Sequence, residues 1–157
     1  MDTSAFVEAR RRLYPASNLP FWGFLAKHIE AGSICSPTQV FKEVCEGTDW
    51  LKEFVKARPG GLNIKTERRI QDGMRVVADH VKSQYPLRRW SDFLSGGDAW
   101  VIACALKIVG TVVTEESAHL KKKIRIPVVC ERLVVRHTDI EGMLSHFGES
   151  FRRAAGA

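Results

Sequence analysis

The stretch GGDAWVIACALKIVGTVVTEE, residues 96–116, decides how this chain is read. Between residues 98 and 109 most positions are apolar, and the polar exceptions are Asp98 and Lys107. The segment therefore reads as a helix buried nearly all round. TVVT, 111–114, is β-branched and reads as a buried strand. An aspartate heads this apolar unit, and Glu115 and Glu116 end it. Such acids either cap and solubilise the ends or converge on a positive charge.

Working outward, SIC (33–35) is a short apolar strand, broken by Ser36-Pro37. From Thr38 a helix turns Val40, Phe41, Val44 and Cys45 inward and ends at Gly47. LVVRH (133–137) reads as a further strand, followed by a helix over 139–147. Two amphipathic stripes open the chain, Phe6, Ala9 and Leu13 up to Pro15, then Phe21, Leu25 and Ile29 up to Gly32. Trp50, Leu51, Phe54 and Val55 form a pair of helical turns before the break at Pro59-Gly60-Gly61. The segment from Thr66 to Gln84 carries one stripe, Ile70, Met74, Val77 and Val81, as a lid or flank would. Short apolar strands alternating with helices predict an α/β sheet, mainly parallel and covered on both faces, with ligands at the carboxyl ends of its strands.

The 157 residues fit one domain spanning 1–157. A hydrophobic share of 45% and a charged share of 27% are ordinary for a globular protein, and no run approaches the roughly 18 apolar residues of a membrane span. MDTSAFVEARRR places its acid before its arginines, the wrong order for a secretory signal, so the expectation is cytoplasmic. Cys35, Cys45, Cys104 and Cys130 form no C-x-x-C pair and read as reduced and mostly buried, not as zinc ligands or disulfides. His28, His80, His119, His137 and His146 lack metal-ligand spacing. The net charge is +6, with clusters at Arg10-Arg11-Arg12, Arg88-Arg89, Lys121-Lys122-Lys123 with Arg125, and Arg152-Arg153. Each is a solvated face or a contact for a polyanion such as nucleic acid.

The acids at element ends have two readings each. Asp98 after two glycines fits a helix N-cap as well as a ligand. Glu43 lies about 130° from the centre of its helix's apolar face, at the border of the core. Asp2 is placed to cap the first helix, as are Thr3 and Ser4. Gathered at one sheet edge, such carboxylates repel one another unless Mg²⁺ or Mn²⁺ joins them through oxygen ligands, and such an ion can hold a scissile phosphate. Spacing alone leaves both readings open.

Motifs take the reading further. DTS (2–4), SPTQVFKEV (36–44), DAWVIACAL (98–106) and VVTEE (112–116), in this order, resemble the PIN-domain family of metal-dependent ribonucleases, many of them toxins of bacterial toxin–antitoxin pairs. RIPVVCERLVVRHTDIEGML (125–144) resembles an uncharacterised, DUF4411-like branch of PIN-like proteins. The likeness covers most of the chain. It implies a three-layer α/β/α sandwich around a short, mainly parallel sheet. It also implies a Mg²⁺ or Mn²⁺ site of Asp2, Glu43, Asp98 and Glu116. Glu116 is preferred to Glu115 because it takes the acidic position of the family's T-x-D/E motif. Ser4 and Thr114 are the implied orienting hydroxyls, with Glu115 in support. The implied activity is hydrolysis of RNA phosphodiesters, with RNA as substrate, an antitoxin protein as partner, a homodimer as assembly and no membrane. Arg10, Arg11, Arg12, Lys121, Lys122 and Lys123 are the basic residues expected to meet RNA. The alternative is a catalytically degenerate module that binds RNA or a protein. The family's first aspartate follows an apolar central strand, whereas here only Met1 precedes Asp2. The first strand is therefore expected to be truncated, either by a start lying upstream or in a degenerate domain.

Overall fold

The computed structural model describes residues 1–47, 50–62, 64, 67–118 and 123–153. Thr66, His119, Lys121 and Lys122, named above, lie outside the described residues. Helices α1 (Thr3–Glu8), α2 (Leu19–Glu30), α3 (Thr38–Glu46), α4 (Trp50–Lys56), α5 (Pro59–Leu62), α6 (Arg68–Gln84), α7 (Leu87–Ser95) and α8 (Gly97–Ile108) precede strand β1 (Val112–Val113). Helix α9 (Ile126–Arg132), strand β2 (His137–Thr138) and helix α10 (Ile140–His146) follow. Alpha-helix α1 continues as a π-helical turn over Ala9–Leu13. The fold is mixed α/β and mostly helical. Its sheet, among the described residues, has two short parallel strands, pairing Val112 with His137 and Val113 with Thr138. None of the described helices is long and apolar enough to cross a membrane.

The deciding stretch forms its helix and strand, and the burial explains why. Ala99, Val101, Ile102, Ala103, Cys104 and Ala105 are buried on α8. Trp100 is half-buried and packs against the core, while Ile108 and Val109 reach solvent. Long α6 flanks α8. A Cβ on Gly73 would stand 2.6 Å from the Ala103 carbonyl oxygen, so glycine is what lets the two backbones meet. A second part of the core is aromatic: Tyr14 stacks on Phe21 at 4.1 Å, and Trp22 meets Trp50 and Phe54 edge-on.

Several expectations are corrected. SIC is not a strand. The pairing there is a single parallel bridge between Pro37 and Ile64, and proline cannot donate to a longer ladder. LVVRH is not a strand either. Val134 takes a left-handed φ of 55° and is 91% exposed, so the chain turns there and the strand shifts to residues 137–138. Pro59-Gly60-Gly61 is not a break but the start of α5. Helix α7, unread in the sequence, begins after Pro86 with Phe93 inward.

The short first segment still joins the sheet. The Asp2 N–H donates to the Val113 carbonyl at 3.0 Å, on the edge of β1 away from β2. The terminal nitrogen of Met1 donates to the Cys35 carbonyl at 2.8 Å, and the Ser36 hydroxyl donates to the Met1 carbonyl at 2.6 Å. Met1 and Asp2 thus lie between β1 and the 33–37 segment, one strand's width from each.

Candidate active site

Asp2, at the N-cap of α1, is 1% exposed. Its carboxylate accepts from the Ala5 N–H at 2.8 Å, from the Ser4 hydroxyl at 2.9 and 3.0 Å, and from the Thr114 hydroxyl at 2.9 Å. Burial raises its pKa, and these bonds pull it back down. So Asp2 does cap the first helix, and both hydroxyls named from the sequence hold it. The Ser4 hydroxyl also accepts from the Glu115 N–H at 3.0 Å, and that of Thr114 from the Glu116 N–H at 3.1 Å. The end of β1 and the start of α1 are thereby tied into one polar knot.

Glu43 comes in from the last turns of α3. One carboxylate oxygen accepts from the Thr3 hydroxyl and the other from the Gly97 N–H at 2.6 Å. A Cβ on Gly97 would lie 2.9 and 3.0 Å from those two oxygens. The second glycine of GGD therefore makes room for Glu43, whose negative charge sits at the positive end of α8. Asp98 is not the N-cap, a position that falls to Gly96. It stands in the first turn, half-buried, and accepts no hydrogen bond among the described residues. Burial first, then the charges of Glu116, Asp2 and Glu43, push its pKa from 3.8 up to about 7, against a smaller pull from Arg125.

Glu115 and Glu116 part company. Glu116 accepts from Arg125 at 2.8 Å and from the Ile126 N–H at 2.9 Å, capping α9. Glu115 accepts from the Ile140 N–H at 2.8 Å, at the head of α10, and burial raises its pKa. Of the two, Glu116 is the one whose charge bears on Asp98.

The four acids of the expected site thus come to one edge, where the charges of Glu116, Asp2 and Glu43 bear on Asp98. As placed, no group of three or more His, Cys, Asp or Glu side chains among the described residues is close enough to hold a metal ion. Beside Asp98 opens a pocket of about 250 Å³, lined by Arg89, Asp92, Phe93, Lys123 and Ile124. Of the expected basic contacts, Lys123 is there. Arg12 instead pairs with Glu8 at 3.4 Å, next to an exposed Arg11 and a half-buried Arg10. Thr3, Gly97, Arg89 and the Arg125 ion pair were not foreseen as site members. The glycine pair before Asp98 was the one local signal, since the others depend on contacts far apart in sequence. The four cysteines are free, with Cys104 and Cys130 buried.

Comparison with curated proteins returns no match, and neither does comparison with solved structures. Over residues 1–151 the chain matches a family described as a domain of unknown function, DUF4411, and it belongs to that family.

Proposed function

We propose that this chain is a PIN-like, metal-dependent endoribonuclease whose site is Asp2, Glu43, Asp98 and Glu116, with Mg²⁺ or Mn²⁺ as its ion. One observation carries the reading: Asp98, with no hydrogen-bond donor among the described residues, is pushed to about 7 by burial and by the other three acids. The three acids outweigh the pull of Arg125 on it, and a hard cation would supply the missing positive charge through oxygen donors alone. The donor set fits such an ion by its chemistry. As placed, no three of them are close enough to share an ion directly, so the ion would be met partly through waters, which Mg²⁺ readily keeps. When bound, the ion would polarise a phosphodiester and neutralise charge on the leaving oxygen.

The chain's own residues do the positioning. Ser4 and Thr114 fix Asp2, Thr3 and the Gly97 amide fix Glu43, and Arg125 with the Ile126 amide fixes Glu116. Arg89 and Lys123, at the pocket beside Asp98, offer positive charge to an RNA backbone. The three-layer PIN arrangement, and a role as the toxin of a toxin–antitoxin pair in the cytoplasm, belong to the same proposal.

A second reading rests on a different observation. Glu43 and Glu116 already cap helices α8 and α9, which is enough to explain them in a non-catalytic module that binds RNA or a protein. Mn²⁺ calorimetry on the chain and on Asp98→Asn separates the two. The nuclease reading expects binding that disappears in the variant, followed by Mn²⁺-dependent RNA cleavage that disappears with it. Absence of binding in both, together with salt-sensitive RNA affinity indifferent to Asp98, would give the second reading the field.

A further inference from the structure

The acid edge already holds a cation of its own. Arg125 stands in extended backbone at the N-cap of α9, between the buried Ile124 and Ile126. Its guanidinium meets Glu116 at 2.8 Å, in a pair whose side chains are 20% and 14% exposed. Its charge also reaches Asp98, against the pull of the acids there. Two residues earlier, Lys123 lines the pocket beside Asp98. The 123–125 segment therefore carries two positive charges along the border of the proposed site.

The contact with Glu116 is only half made. A guanidinium presents a flat fork of N–H donors that a carboxylate or a phosphate can accept two at a time. Here Nη1 donates to one oxygen of Glu116, and the other oxygen is taken by the Ile126 N–H. The Arg125 Nε is buried and has no partner among the described residues. A buried donor is costly to leave unpaired, and this one can be used only if the side chain turns off Glu116. A phosphodiester offers two free oxygens, which a guanidinium fork can take together.

We propose that Arg125 is a phosphate-binding residue stored on Glu116, which passes to an RNA phosphate as Glu116 turns its released oxygen toward the divalent ion. The exchange trades one ion pair for two, and moves no covalent bond and no proton. Until RNA is bound, Arg125 competes with the metal for Glu116, so metal and RNA each favour the binding of the other. The inference rests on the nuclease reading above and adds to it a substrate contact and the order in which the site is completed.

Mn²⁺ calorimetry without RNA comes first, on the full chain and on Arg125→Gln. With the competing cation gone, the variant should bind Mn²⁺ about tenfold more tightly. An arginine that merely positions Glu116 would leave it binding more weakly. RNA affinity is then read by fluorescence anisotropy over a salt series, on a fluorescein-labelled oligouridine with cleavage-resistant phosphorothioate linkages. In Mn²⁺ the variant should lose about 0.7 from the slope of log affinity against log salt, the worth of one phosphate on a single strand. In EDTA the two slopes should agree, because Arg125 is then on Glu116 in the wild type. Glu116→Gln leaves Arg125 in place and loosens its hold, so it should show the steeper slope already in EDTA. That variant decides the matter if Arg125→Gln does not fold. Mn²⁺ binding by the wild type with no gain in Arg125→Gln, or slopes that ignore both substitutions, would overturn the role of Arg125 and leave the nuclease reading standing. Mn²⁺ binding by Arg125→Gln alone would support the exchange, whereas binding by neither protein would overturn both readings.

Discussion

Asp98→Asn should stabilise the metal-free protein, and by an amount that depends on pH. The Asp98 carboxyl has its pKa raised from 3.8 to about 7. Below pH 4 it is protonated in the folded and unfolded chains alike and contributes nothing. Between pH 4 and pH 7 the folded chain holds the proton that the unfolded chain has lost, so stability falls as pH rises, by about 1.36 kcal/mol per pH unit. Above pH 7 the penalty is complete, on the order of 4 kcal/mol. Asparagine carries no charge, and because Asp98 accepts no hydrogen bond among the described residues, the amide strands no donor. Urea unfolding in EDTA, followed by tryptophan fluorescence, should show the two proteins equally stable at pH 4. The variant should be more stable by a few kcal/mol at pH 8. Millimolar Mn²⁺ should then raise the midpoint of the wild type alone, because only the wild type keeps the full site. A variant no more stable than wild type at pH 8, or a difference that ignores pH, would refute the picture of a repelled, buried carboxylate.

Other substitutions probe the supports. Gly97→Ala places a methyl 2.9 Å from a Glu43 oxygen and should drive that side chain away, costing about 1 kcal/mol in urea unfolding and weakening Mn²⁺ binding at least tenfold by calorimetry. Gly73→Ala sets a Cβ 2.6 Å from the Ala103 carbonyl, so α6 must move off α8, at a cost of about 2–3 kcal/mol in the same assay. Thr114→Val removes the donor to Asp2, in buried surroundings, and the acceptor for the part-buried Glu116 N–H. It should cost about 2 kcal/mol, whereas Thr114→Ser should restore most of that.

How far the fold could be read depended on where its signal is local. Helices α2, α3, α6, α8 and α10 carry their apolar stripes within their own residues, and each reading landed within a few positions. The strands do not. Two residues are too few for a period-two alternation, and the apolar run at 133–135 looks like a strand although Val134 turns outward with positive φ. Helix α7 had a usable signal in Leu87, Trp90 and Phe93, spaced three apart after Pro86, which Arg88 and Arg89 obscured. For the site, Asp2, Glu43, Asp98 and Glu116 could be nominated from motifs because their neighbours in sequence are distinctive. What engages them could not. The Thr3–Glu43, Gly97–Glu43 and Arg125–Glu116 contacts span 40, 54 and 9 residues, and nothing local announces a partner at such distances.

Glu115 and Glu116 are neighbours on extended chain, where consecutive side chains leave in opposite directions. One reaches the first amide of α10 and the other the first amide of α9, so a single peptide unit holds two helices that would otherwise meet the sheet edge separately. The Ser4 and Thr114 hydroxyls grip the backbone of the same two residues. The amides of Glu115, Glu116, Ile126 and Ile140 should therefore exchange with solvent deuterium at a common rate, as one unit that opens or stays shut together. A disturbance at either helix would reach the acids directly through that hinge point.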